Sequence, residues 1–158
     1  MNRQGTFPEP ASLCARARFA ARLDTLTEIG EWLRAMCGRG GESDAWVDMF
    51  ELAVIEASSN IVRHGQSVLL DPSRESAELA LTLRRWRQSW VIDLFDTGKP
   101  VPSGVFDTRR AMPSFDPEDI RTVPTGGLGL GIIHASVDVV EHRRRLGVNR
   151  LRLVKFRG

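Results

Sequence analysis

The sequence predicts an α+β two-layer sandwich, a mixed, mostly antiparallel sheet covered on one face by helices. Three observations predict it. Short stretches alternate apolar and polar residues at the period of two that a half-buried strand requires. Longer stretches repeat apolar residues at the helical period. The order is strand, helices, hairpin, helix, hairpin, with no internal repeat and no shift in composition. The 158 residues are the length of one domain with one core.

Residues 1–13, with Gly5, Pro8 and Pro10, read as a flexible arm before a single domain over 14–158. Ala15, Ala17 and Phe19 alternate with Arg16 and Arg18, which predicts a strand over 15–20. From Leu23 the period changes. Leu26, Ile29, Leu33 and Met36 share a helical face, and Gly38-Arg39-Gly40-Gly41 ends that helix. Ser43 or Asp44 caps a second helix that runs to His64, with Gly65 as its stop. Its core stripe is Trp46, Phe50, Ala53, Val54, Ala57 and Ile61. A polar connector over 65–77 leads to a hairpin. Leu79, Leu81 and Leu83 alternate on one strand and Trp90, Ile92 and Leu94 on the next, linked through Arg87-Gln88-Ser89. Residues 99–125 hold five prolines and little apolar pattern. Structureless stretches of this length are uncommon and usually functional, so this one reads as a lid, with a tolerated surface insertion as the alternative. Glycines then crowd the start of a third helix at Thr125–His134, and strands at Val137–Arg143 and Val148–Phe156 finish the chain.

Composition narrows the function classes. Net charge is only +2, which does not make a nucleic-acid binder. Cys14 and Cys37 belong to no CxxC or Cys/His cluster, so a zinc site is not expected, and two free thiols are simpler than a disulfide. No apolar run has the length of a signal peptide core or a membrane span. The expectation is a cytoplasmic protein that touches neither membrane nor nucleic acid directly.

Three constellations carry chemistry. Glu56 and Asn60 stand four residues apart, about one turn, on one face of the second helix, and Arg63 and His64 continue that face. A carboxylate can take a proton, and an amide oxygen is a hard ligand suited to Mg²⁺. As an isolated pair they read first as a solvated helix face. Asp96-Thr97-Gly98 ends a strand, where a fixed carboxylate can accept a hydrogen bond from an exocyclic amine; alone it reads as a turn. Gly126, Gly127, Gly129 and Gly131 open a helix, where backbone N–H groups and the helix dipole favour an anion. The Rossmann spacing fails at Ile132, and the one Gly-Lys pair, Gly98-Lys99, runs into Pro100 instead of the Ser or Thr of a P-loop. Close packing of helix on sheet explains the glycines equally well in isolation.

In that order the three motifs resemble the Bergerat ATP-binding fold of the gyrase, heat-shock protein 90, histidine kinase and MutL superfamily. Within it they are most similar to the small anti-sigma-factor serine kinases of bacterial partner-switching systems. Glu56-Ala57-x-x-Asn60-x-x-x-His64-Gly65 is close to the N box, Asp96-Thr97-Gly98-Lys99-Pro100 to the G1 box, and Gly126-Gly127-Leu128-Gly129-Leu130-x-Ile132-Ile133 to the G2 box. The closing Asn149-x-Leu151-x-Leu153 strand fits too, and the likeness spans roughly residues 15–156. It implies ATP and Mg²⁺ as cofactors. Glu56 would be the general base for a serine hydroxyl, and Asn60 would hold the metal. Asp96 would bind the adenine amine, with Gly98 beneath the ring and Pro100 closing the motif. Thr125, Gly126, Gly127, Leu128, Gly129 and Leu130 would cradle the phosphates, with Arg63 and His64 as further phosphate contacts. The implied substrate is a STAS-domain anti-anti-sigma protein, the second partner a sigma factor or other regulator, and the assembly a homodimer.

Two departures qualify this. Thr125 stands where such kinases can carry an arginine, leaving Arg121, Arg109 and Arg110 as the nearest replacements, and Pro100 stands where many superfamily members have glycine. An ATP-binding switch without transfer is the alternative. A histidine-kinase ATP domain is a weaker one, because few residues precede the first strand. Single residues add little. His134 and His142 lie among apolar neighbours, as core or edge histidines do; Arg143-Arg144-Arg145 reads as a solvated turn or a contact for an acidic partner; Trp86 and Trp90 could pack on the sheet or on a partner.

Overall fold

The computed structural model describes residues 12–64, 77–106 and 128–158. The first strand, β1, covers Leu13–Ala20 and is followed by a single 3-10 turn at Leu23–Thr25. Helices α1 (Leu26–Arg39) and α2 (Asp44–His64) come next, then β2 (Glu78–Arg85) and β3 (Ser89–Asp96). Helix α3 (Leu128–Ser136) precedes β4 (Val139–Arg145) and β5 (Val148–Phe156). The strands form one sheet in the order β1-β2-β3-β5-β4. All four ladders are antiparallel, so the mixed, mostly antiparallel sheet expected resolves to an antiparallel one among the described strands.

The core lies between the sheet and the helices. Leu79, Leu81 and Leu83 on β2, Trp90, Ile92 and Leu94 on β3, and Leu151 and Leu153 on β5 meet Ile29, Leu33, Phe50, Ala53, Val54, Ala57 and Ile133 from the helices. Helix α2 packs between α1 and α3. It therefore buries Val47, Ser58 and Ser59 beyond the expected stripe, while Trp46 and Ile61 are only partly covered. Ser43 is its cap: the Ser43 hydroxyl accepts the Trp46 N–H at 3.3 Å. Helix α1 runs through Gly38 and stops at Arg39, within the glycine cluster that was expected to break it.

The sheet begins two residues before the apolar alternation shows it. Leu13 pairs with Arg85, and the Ser12 N–H donates to the Arg85 carbonyl at 2.8 Å, so the end of the expected arm already belongs to the sheet. The last strand pair turns at Leu146 and Gly147, with φ of 50° and 79°, the left-handed pair that a tight hairpin requires. Trp90 is fully buried and its Nε1 donates to Glu42 Oε1 at 2.9 Å, which places it in the core and not on a partner. His134 is buried, and His142 lies beside Phe106 with ring centroids 5.5 Å apart. Cys14 and Cys37 are free thiols, and burial pushes the Cys37 thiol up to about 12. Among the described residues, no helix is long and apolar enough to cross a membrane.

The sheet face turned from the helices carries one buried charge. Asp93, 1% exposed, accepts Arg152 Nε at 2.7 Å and Nη2 at 2.9 Å, and Arg84 Nη1 at 2.8 Å. Burial pushes the Asp93 carboxyl up, but the Arg152 and Arg84 guanidiniums outweigh it and hold the group below the usual carboxylate range. A depressed folded-state value stabilises the fold above the unfolded value, about pH 4, and that contribution is lost as pH falls through the folded value. Asp93→Asn is expected to lower stability at pH 7 by about 3 kcal/mol, the low end for a broken buried pair because the arginines still meet water. Urea titrations should also show a shallower stability loss between pH 5 and the acid limit in the variant than in wild type.

Candidate nucleotide site

The first cluster of the site is a contact between two helices. Glu56 and Asn60 lie on α2, both partly buried. Gly129, in the first turn of α3, is pressed against them. A Cβ built on Gly129 would sit 2.9 Å from Glu56 Oε2, 3.3 Å from Asn60 Nδ2 and 3.4 Å from Asn60 Oδ1. Glycine at 129 thus leaves the space in which the Glu56 and Asn60 polar ends rest beside the first turn of α3, the end of a helix that favours anions. The sequence motifs around Asn60 and Gly129, about seventy residues apart, meet here.

The second cluster is at the end of β3. Asp96 Oδ1 accepts the Gly98 N–H at 2.8 Å and Asn149 Nδ2 at 2.9 Å. The same Asn149 amide group donates to the Lys99 carbonyl at 3.0 Å. Arg144 Nη1 donates to the Gly98 carbonyl at 2.9 Å and to Asn149 Oδ1 at 2.8 Å. Asn149 is 2% exposed. Two residues of the closing hairpin therefore fasten the Asp96–Lys99 turn. Among the described residues both hydrogen bonds to Asp96 fall on Oδ1, which leaves Oδ2 to accept from a ligand.

Other expected site residues are placed less centrally. Arg63 and His64 are exposed at the end of α2, and Arg63 lines an open cleft of about 380 Å³ with Arg22, Leu23, Asp24 and Val62. Gly98 is buried, Pro100 is exposed, and Leu128 and Leu130 are partly buried on α3. Thr125, Gly126 and Gly127 lie outside the described residues, as do Arg109, Arg110 and Arg121 and most of the lid expected at 99–125. Of that stretch, residues 99–106 are described, and Phe106 packs on the core. No group of three or more His, Cys, Asp or Glu among the described residues could hold a metal. Mg²⁺ needs no such group, since it keeps several waters and is held by few protein groups beside phosphates, and the Asn60 amide oxygen is a hard donor that could serve there.

The reading of Arg143-Arg144-Arg145 changes for its middle member. Arg144 holds the Gly98 carbonyl and is more than a solvated turn. Asn149 does more than complete the closing strand, because its side chain anchors the Asp96–Lys99 turn. Its signal was available: it shares a strand face with buried Leu151 and Leu153, where a polar residue must have partners.

An antiparallel sheet under three helices, a carboxylate turn at a strand end and a glycine-opened helix against a Glu/Asn pair define a Bergerat-type ATP-binding domain. The family model of the histidine kinase-like ATPase domain matches residues 19–155. The chain belongs to that family, and ATP is its expected ligand. Among solved structures, the chain is similar to the RsbU and RsbW domains of Rv1364c from Mycobacterium tuberculosis, with a TM-score of 0.58 and 14% identity. That match covers 92% of this chain and 33% of the longer one, and at this identity it speaks for the fold alone. No curated protein matches the chain significantly.

Two outcomes are expected. Asn149→Ala removes a buried donor from Asp96 and Lys99, a loss of about 1–3 kcal/mol, so calorimetric titration should show ATP affinity falling roughly 5- to 150-fold. Gly129→Ala displaces the flexible ends of Glu56 and Asn60 and not a backbone. The crowding, about 1–3 kcal/mol for an added methyl, is partly offset by the roughly 1 kcal/mol that alanine gains over glycine in a helix, so the unfolding free energy should fall by no more than about 2 kcal/mol, while calorimetry detects weaker Mg-ATP binding.

Proposed function

We propose that this protein is an ATP-dependent serine kinase of a partner-switching system. It phosphorylates a small STAS-domain antagonist and, when freed of it, holds a sigma factor or an equivalent regulator. The observation that carries this reading is the contact of Gly129 with Glu56 and Asn60. It sets a carboxylate and a hard amide ligand beside the helix N-terminus where phosphates would rest. Phosphoryl transfer needs positioning and charge stabilisation more than covalent chemistry, and this cluster offers both. Asn60 would hold Mg²⁺, which when bound neutralises charge on the phosphates. Glu56 would accept the proton of the incoming serine hydroxyl, and Asp96 would bind the adenine amine through Oδ2. The three motifs, in their order and wording most similar to those of the small anti-sigma-factor serine kinases, support a switch protein over other users of the fold. Homodimerisation and a cytoplasmic setting belong to the same proposal.

A second reading is an ATP-binding switch that transfers no phosphate. Thr125 favours it, because no arginine directly precedes the G2 glycines to reach the terminal phosphate. One experiment separates the two. Purified protein, Mg-ATP labelled at the γ-phosphate and the STAS-domain protein are mixed, and acid-stable label on the STAS protein is counted. Transfer is expected with wild type, and Glu56→Gln should lower it by about two to four orders of magnitude while ATP affinity stays within about threefold. Full transfer by Glu56→Gln would remove the assigned role of Glu56. No transfer by a wild type that binds ATP and still exchanges partners would establish the second reading.

A further inference from the structure

We infer that the outward face of α2 ahead of Glu56, carried by Leu52 and Met49, is the docking surface for the phosphoacceptor protein. The inference rests on the kinase reading above. Helical spacing places Leu52 four residues and Met49 seven residues before Glu56, so all three project from one face of one continuous helix. With a rise of 1.5 Å per residue, they stand about 6 Å and about 10 Å from Glu56 along the axis. Both are solvent-exposed, Leu52 at 43% and Met49 at 40%. Two large apolar side chains on an otherwise amphipathic helix are left uncovered where the helix between α1 and α3 faces outward.

The reaction requires that this surface be covered. A serine on a folded partner reaches Glu56 only when its oxygen comes within about 3 Å of the carboxylate. A specific protein contact buries roughly 800 Å² on each partner, a patch about 16 Å in radius. A patch of that size centred on Glu56 contains Leu52 and Met49. On the far side of Asn60, Leu23 is 50% exposed and borders the cleft with Val62 and Arg63. Among the described residues six large hydrophobics are exposed, and these three lie on the helical layer, while Leu146, Val148 and Phe156 lie on the β4–β5 hairpin. The charges beside the stripe are already paired, since Arg34 on α1 bridges both Asp48 and Glu51 on α2. The surface therefore suits a partner whose acceptor serine is ringed by apolar side chains, not by charge.

The test is steady-state transfer to the STAS-domain protein by wild type, Leu52→Asp, Met49→Asp, Leu52→Met and Leu146→Asp. ATP affinity and thermal midpoint are measured on each. Leu52→Asp and Met49→Asp should raise KM for the protein substrate about tenfold or more, as loss of an interface anchor does, with kcat at saturation within about twofold and ATP affinity unchanged. Leu52→Met should restore KM, and Leu146→Asp should match wild type. Unchanged KM in both aspartate variants would overturn the docking surface while leaving the kinase reading intact. So would an equal rise in Leu146→Asp, or a KM rise that comes with lost ATP affinity or a lowered midpoint, which would make the residues structural. A change in oligomeric mass on size exclusion with KM unmoved would assign the stripe to a second copy of this chain and overturn the proposal. A wild type that binds ATP and labels nothing would fail the kinase reading, and the docking surface with it.

Discussion

The close approach of α3 to α2 at Gly129 is the constraint on which the site depends. Helices with ordinary side chains pack with axes 8–10 Å apart, and the side chains at the contact set that distance. At position 129 a methyl group would already press on the Glu56 carboxylate and the Asn60 amide. The absence of that methyl lets the first turn of α3 share a small volume with two polar side chains of α2. The remainder of both helices is ordinary. Ile133 on α3 and Ala57 on α2 are fully buried and hold the pair together through the core. Apolar packing thus provides the stability, and one missing side chain gives the pair its polar corner.

The other end of the site is built from the sheet. Asp96 closes β3, a strand paired on both sides by β2 and β5, so its backbone has little freedom. Asn149 is its direct partner across the ladder. The Asn149 side chain then reaches past the ladder to the Asp96 carboxylate and the Lys99 carbonyl, and Arg144 on the adjacent strand secures the Gly98 carbonyl. A buried amide with this many partners is specific in a way an apolar residue could not be, because leaving any one unmet costs about 1–3 kcal/mol. Asp93, three residues earlier, anchors arginines on the opposite face of the same strand. Strand β3 carries a polar function at its end and a polar brace in its middle.

Much of this was legible in the sequence, for identifiable reasons. The strands showed because Leu79, Leu81 and Leu83, and Trp90, Ile92 and Leu94, alternate cleanly over one buried face. Helix α2 showed because Phe50, Ala53, Val54 and Ala57 keep the helical period. Ser58 and Ser59 did not show as buried, because a second and a third helix cover faces that a single stripe cannot reveal. The order of strands was not legible either, since the pairing of β3 with β5 joins residues more than fifty positions apart. The roles of Glu56, Asn60 and Gly129 could be expected from a resemblance, but their meeting is a fact of packing. Arg144 was hidden because its contact with the Asp96–Lys99 turn is to the Gly98 backbone carbonyl, and backbone carbonyls leave no trace in residue identity. Expectations for Thr125, Gly126 and Gly127 fall outside the described residues.

The two clusters draw on different parts of the fold, and that separation bears on how such a protein could work as a switch. The Asp96 end is fixed by ladder hydrogen bonds and buried side chains, interactions that open only with the sheet. The Glu56 end depends on the seating of one short helix, nine residues long, against another. A nine-residue helix is marginal alone and owes its stability to packing. Whatever occupies the space beside Gly129 adds contacts to α3 and so shifts how firmly it is seated. A ligand can bias an equilibrium only by its differential affinity for the two states. A nucleotide that meets rigid sheet at its base and a small packed helix at its phosphates would place that difference at the phosphate end. That end is also where Leu52 and Met49 leave an apolar surface open to solvent. Recognition of the nucleotide and of a partner would then be coupled through the seating of α3 on α2, with the sheet as the fixed reference for both.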